Sequence, residues 1–251
     1  MASRLSIPLG PALVQRPVAA GRYIAHHHGR ECGAERWRIV STAAGLVATG
    51  EHLLESPHPF PNRQEWRATL THDWRVTGLE IHWSVGEQQL HAVHGADGAR
   101  WRARFEYGGQ TREQHGDYPD VCEVDYVSPL FNTFYLARRD FALEGEHEFP
   151  VLRIGPPWMA VSPERMRVRC VERGQLETVG GRVEAKRYLV CLPRPATDIG
   201  GGHADEDEGY TFWADRQGIV LESFEGSEPV GPWMKLVEYS GQPLGGLPGG
   251  A

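Results

Sequence analysis

His82, His91 and His94 are the residues of this 251-residue chain best suited to moving protons near neutral pH. They sit in two alternating runs joined by a turn at Gly86, a spacing that brings cross-strand pairs within reach of one another. Such a pair acts either as acid and base on the polar face of a sheet, or as surface histidines held by Glu80 or Glu87. Tyr107, Asp125, Tyr126 and Tyr188 are further groups that a shaped cavity can use without a cofactor. The chain carries no GxSxG, no cysteine in the context of a Cys–His pair and no glycine-rich phosphate loop. The enzyme these residues would support is therefore a cofactor-independent lyase, isomerase or cyclase acting on an apolar or aromatic small molecule.

Metal chemistry has one invitation, the run His26-His27-His28 ahead of Cys32. Adjacent residues of a strand point to opposite faces, so three in a row do not readily converge on one ion. The reading is a solvated N-terminal loop and no metal. Cys32, Cys122, Cys170 and Cys191 follow no CxxC or zinc-ribbon spacing and read as free, mostly buried thiols. Arginines recur along one face of several runs, among them Arg67, Arg102, Arg104, Arg167 and Arg169. They form either a charged exterior or a cavity mouth that grips a carboxylate or phosphate head group.

The elements that must position these groups are strands. Trp66, Ala68 and Leu70 alternate with Glu65, Arg67 and Thr69, and Leu79, Ile81, Trp83 and Val85 alternate with Glu80, His82 and Ser84. Trp101, Ala103, Phe105 and Tyr107 interleave with Arg100, Arg102, Arg104 and Glu106, and Met166, Val168 and Cys170 with Arg165, Arg167 and Arg169. Further strands are expected at 36–41, 46–54, 88–94, 121–126, 182–191, 210–214, 218–224 and 233–239, while helical periodicity is scarce. Turn signals such as Asp97-Gly98 and Gly108-Gly109 leave spacings too short for parallel crossovers. The expected fold is all-β, an antiparallel meander curled into a β-roll or barrel-like sheet that encloses a cavity. Trp37, Trp66, Trp74, Trp83 and Trp101 take core-facing positions. Trp158 and Trp233, beside prolines, either rim a ligand entrance or anchor loops.

The run Asp125-Tyr-Val-Ser128-Pro129-Leu-Phe131-Asn132-Thr-Phe134-Tyr-Leu136-Ala-Arg138-Arg139 is the most distinctive segment. With His72-Asp-Trp74-Arg75, Ile81-His-Trp83-Ser-Val85-Gly86, Ala99-Arg-Trp101-Arg102 and Leu143-Glu-Gly145, it resembles the bacterial putative glycolipid-binding family, over residues 72–146. The resemblance implies a spiral β-roll, likened to lipoprotein carriers, whose interior accepts a glycolipid-like or other largely apolar ligand. This is the leading functional expectation, with the cofactor-independent enzyme as its alternative. On that reading Ser128-Pro129 ends a strand, and Asn132 and Thr133 fix a turn. Phe131, Phe134 and Leu136 then wall the cavity, and Arg138 and Arg139 stand at its end. Those arginines either pair with Asp125, Glu123 or Asp140, or meet the ligand's polar end. The expected ligand-binding set is Phe131, Asn132, Phe134, Leu136, Arg138, Arg139 and Trp158.

The expected layout is an N-terminal extension over 1–30, one domain over 31–239 and a flexible tail over 240–251. Within the domain lie a proline-rich loop at 55–64 and an acidic loop at 193–209. With 33 acidic against 26 basic residues the net charge is −7, which repels phosphate backbones, so nucleic acid is excluded as a partner. No stretch reaches the ~18 to 20 apolar residues of a membrane helix. The expected partner is an apolar or amphipathic small molecule and the expected compartment is the cytoplasm. An exposed sheet edge leaves a homodimer open.

Overall fold

A computed structural model describes residues 16–139, 141–155, 159–178, 180–192, 208–225 and 231–241. Among these residues fifteen strands form one sheet. The first eight are β1 (Arg16–His27), β2 (Arg30–Thr42), β3 (Gly45–Leu54), β4 (Asn62–Leu70), β5 (Val76–Val85), β6 (Gln88–Asp97), β7 (Arg100–Tyr107) and β8 (Gln110–Asp117). After β9 (Glu123–Tyr126) comes a helix, α1 (Leu130–Arg138). The rest are β10 (Glu146–Gly155), β11 (Ala160–Thr178), β12 (Gly181–Leu192), β13 (Glu208–Asp215), β14 (Val220–Glu225) and β15 (Met234–Gly241).

The order across the sheet is β8-β7-β6-β5-β4-β3-β2-β1-β15-β14-β13-β12-β11-β10-β9. The outermost strands of the sequence, β1 and β15, pair at its middle, and two arms run outward to edges at β8 and β9. Those edges are consecutive in the chain, joined by residues 118–122. Laid flat, fifteen strands at ~4.8 Å spacing would be about 65–70 Å wide, whereas so short a link reaches only about 20 Å. The sheet must curl until its edges approach, and Gln114 of β8 accepts the Val161 N–H of β11 at 2.9 Å across that approach. It is curled and not closed, because β8 and β9 do not pair. The all-β expectation holds.

Four expectations need correction. The sheet begins at Arg16, so much of the segment read as an N-terminal extension is β1, where Tyr23, Ile24 and Ala25 are buried. His26 and His27 are half-buried strand residues and not a solvated loop. The proline-rich loop ends before Asn62, where β4 starts. The largest difference is α1. The meander is broken at one place, where β9 and β10 pair in parallel, and parallel neighbours require a crossover, which α1 supplies. Most of the acidic segment 193–209 and of the tail lies outside the described residues, although β15 runs on to Gly241.

Seven of the nine α1 residues, Leu130 through Leu136, are buried, because the helix fills the curl of the sheet. A helix buried on nearly every side needs such an enclosure, and its polar Asn132 and Thr133 need partners within it. Phe131 packs on Trp66 at 5.4 Å and Tyr126 at 5.2 Å, and Phe134 lies 6.2 Å from Trp74. Ser128 Oγ accepts the Leu130 N–H at 3.2 Å just ahead of the helix, whose N-cap is Pro129. The outer face carries the arginine rows: Arg36, Arg38, Arg67, Arg102, Arg104 and Arg169 are exposed between buried neighbours. No disulfide joins the four cysteines. No helix among the described residues is long and apolar enough to cross a membrane.

Candidate functional site

Strand pairing lays the inner face out in rows. One row runs Gly21, Trp37, Gly50, Trp66, Ile81 across β1 to β5, each residue directly opposite the next. Glycine and tryptophan alternate in it because the indoles lie flat over the glycines. A Cβ on Gly50 would sit 2.3 Å from the Trp66 ring, and one on Gly21 would sit 2.6 Å from Trp37.

The adjacent row is polar: Tyr23, Glu35, His52, Gln64, Trp83. Glu35 is fully buried and His52 is 1% exposed. Ser128 Oγ donates to Glu35 Oε1 at 2.5 Å, so the residue just ahead of the α1 N-cap docks the helix on β2. Tyr126 donates to Gln64 Oε1 at 2.5 Å, and Gln64 Nε2 donates to Asn62 Oδ1 at 3.0 Å. Loss of water pushes the Glu35 carboxyl up from 4.5 to about 7, against the hydrogen bond from Ser128. The same loss holds His52 down from 6.5 to about 4, helped by His58. Burial thus favours the uncharged form of both groups.

Several buried polar atoms around these rows have no hydrogen-bond partner among the described residues. They are Glu35 Oε2, both ring nitrogens of His52, and the indole nitrogens of Trp37, Trp66 and Trp83, the Trp66 indole lying near enough to Glu35 to favour its charged form. Orphaned buried groups are rare because each costs about 1–3 kcal/mol, and here they share the inner face of four adjoining strands. A chain of rings connects them to the surface. His52 lies 6.2 Å from Trp233, Trp233 lies 5.8 Å from His58, and His58 lies 6.5 Å from Phe60, which is 71% exposed.

The residues singled out from the sequence divide among several places. His82 and His91 are direct cross-strand partners on the outer face, stacked at 4.3 Å, and both reach Glu80. His94 belongs to the inner face, buried beside Trp101, so the three histidines do not form one group. Tyr126 reaches the polar row, whereas Tyr188 stacks on Phe212 in a separate core cluster. Burial pushes the Asp125 carboxyl up to about 6, and Arg153 lies 3.9 Å away.

Phe131 and Phe134 are buried among the inner aromatics, and Leu136 joins the second cluster. They lie on a helix, not on the turn and strand expected, and they fill the curl. Asn132 Oδ1 accepts the Tyr210 hydroxyl at 2.8 Å, and Thr133 Oγ1 accepts the Val220 N–H at 3.3 Å. Arg138 and Arg139 both bind the buried Glu123, at 2.8 and 2.9 Å, so their guanidiniums are engaged in a structural ion cluster. Trp158 lies outside the described residues. Glu35, His52 and Gln64 were missed, although parity identifies them. Each is two residues from an inward-facing position, Trp37, Gly50 or Trp66, and so occupies a core position with a polar side chain.

A family model described as "Putative glycolipid-binding" matches residues 26–186. No curated protein matches the chain. Among solved structures, the β-barrel-like protein of domain of unknown function DUF1849 from Brucella abortus superposes with a TM-score of 0.56 at 7% identity. That superposition covers 91% of this chain and 98% of the other. A DUF1089 family protein from Pseudomonas aeruginosa aligns with a TM-score of 0.42 at 17% identity, over 86% of this chain and 95% of that one. The first supports a β-barrel-like fold.

Proposed function

Starting from the fact that the chain belongs to the putative glycolipid-binding family, we propose that it binds an amphipathic ligand of the glycolipid class by its hydroxyl-bearing head group, on the inner face of β2 to β5. The observation that carries this reading is the set of orphaned polar atoms on Glu35, His52, Trp37 and Trp83. A sugar offers hydroxyls that both donate and accept, which is what a carboxylate oxygen, a neutral imidazole and two indole N–H groups need. Indoles also present broad apolar faces to a sugar ring. The apolar part of the ligand then lies outward along Trp233 and Phe60. This reverses the orientation expected from the sequence, with the tail inside, because α1 already fills the interior with Phe131 and Phe134.

The test is a titration with octyl glucoside below its micelle concentration, followed by tryptophan fluorescence and calorimetry, with native mass spectrometry of the purified protein for retained lipid. Saturable binding that weakens at least ~10-fold in Glu35→Gln and in Trp233→Ala is expected, the loss of one or more desolvated contacts. A purified protein without lipid, unresponsive to the glucoside, would sink the proposal.

One observation favours a second reading, turnover of that ligand. Glu35, poised at about 7, stands opposite the unpartnered, neutral His52, a pairing suited to proton transfer at neutral pH. Incubating the extracted ligand with fresh protein and following it by mass spectrometry tests this. A product absent with Glu35→Gln would support catalysis, and an unchanged ligand would leave binding as the activity.

A further inference from the structure

The geometry points to a divalent transition-metal site on the outer face, formed by Glu80, His82 and His91, on the opposite side of the sheet from the polar row. The strand register creates it. His82 on β5 is the direct partner of His91 on β6, and Glu80, two residues before His82, projects from the same face. The imidazoles stack at 4.3 Å with planes 5° apart, which brings both Nε2 atoms to one carboxylate oxygen. Glu80 Oε1 is 3.4 Å from His82 Nε2 and 3.1 Å from His91 Nε2. The three ligand atoms all lie within 4.8 Å of one another. Ligands around a tetrahedral zinc ion at about 2.0–2.1 Å stand ~3.3 Å apart, so the two measured separations already suit an ion between them.

The surroundings complete the pattern. Glu106 on β7 is the direct partner of His91, and its Oε2 lies 3.8 Å from Nδ1, the ring nitrogen turned away from the site. At that ion-pair separation, longer than a hydrogen bond, the carboxylate favours a proton on Nδ1, the tautomer that leaves Nε2 to bind a metal. Glu65 on β4 stands opposite His82 in the same way. Arg63 and Arg104 pair with Glu65 and Glu106 at 2.7 Å, so these flanking charges are partly neutralised and Glu80 remains the anionic ligand. Two imidazoles and one carboxylate select zinc or a neighbouring transition ion over magnesium or calcium. Three protein ligands on an exposed face, with His82 58% exposed, leave the fourth position to water.

Calorimetric titration of chelator-treated protein with zinc chloride tests the assignment, with cobalt absorption as a second readout of tetrahedral coordination. One equivalent of zinc is expected to bind. Affinity should fall at least ~10-fold in Glu80→Gln and be abolished in the double variant His82→Ala/His91→Ala, with Glu106→Gln weakening it by a smaller factor. These side chains lie outside the core, so thermal unfolding of the metal-free variants should match the parent and confirm folding. Absence of saturable binding to the parent protein overturns the proposal. So does zinc binding that survives the double variant and disappears when His26, His27 and His28 are replaced. Neither result depends on whether a glycolipid binds the inner face.

Discussion

Replacing Glu35 with glutamine removes one titrating group from the inner face while keeping an acceptor for Ser128. In the parent protein burial raises this carboxyl from 4.5 to about 7. A group that holds its proton more tightly folded than unfolded stabilises the protein fully below its unfolded pKa. Its contribution declines as pH rises and is gone above the folded value. For Glu35 that window runs from 4.5 to about 7, and at 1.36 kcal/mol per pKa unit the contribution is about 3 kcal/mol. His52, directly opposite on β3, has the reverse sign. Its value falls from 6.5 to about 4, so its contribution is present above 6.5 and is lost as pH falls towards 4. His94, also held down to about 4, acts with His52, and Asp125, raised to about 6, acts with Glu35. These opposed groups leave the parent protein with a shallow pH dependence across the interval. Glu35→Gln unbalances them, so the variant loses stability more steeply on acidification. Urea unfolding of both proteins at steps from about pH 4.5 to 8 isolates the effect, since subtracting the two profiles cancels every shared group. The difference should change by about 3 kcal/mol, with the parent gaining on the variant as pH falls. Profiles that stay parallel within about 0.5 kcal/mol would refute the argument and show that Glu35 keeps its water in the folded protein.

Two further changes test the packing that holds the site. Trp101→Ala should cost about 3 to 5 kcal/mol by urea unfolding, since the ring is 1% exposed and packs 4.9 Å from Tyr118; a loss under about 1 kcal/mol would contradict its burial. Gly50→Ala should destabilise by about 1 to 3 kcal/mol and shift tryptophan fluorescence, because the new methyl must displace the Trp66 indole. An unchanged spectrum and midpoint would mean that the indole does not lie over the glycine.

Period-two alternation was sufficient to read most of the strands, because their one dry face shows in every second residue, but not β1, β8 or β10, where β8 is exposed along nearly its whole length and the burial of β1 and β10 does not alternate cleanly. It also placed Trp37, Trp66, Trp83 and Trp101 towards the core and the arginine rows outside. Local sequence could not reveal that the arms meet. That follows from β1 pairing with β15 and from the short link between the two edges, both contacts between distant parts of the chain. The run Leu130 to Arg138 carries strand-like and helix-like signals together. Only the parallel pairing of β9 with β10, and an enclosure able to bury all sides of a helix, make it α1. The histidines illustrate the same division. Their parity assigns His82 to one face and His94 to the other, but the partnership of His82 with His91 and Glu80 depends on the register of β5 against β6. Glu35, His52 and Gln64 are polar residues in core positions whose parity is legible along each strand. That they stand in one row was decided by tertiary structure, because strand register, and not sequence spacing, sets which residues of separate strands face one another.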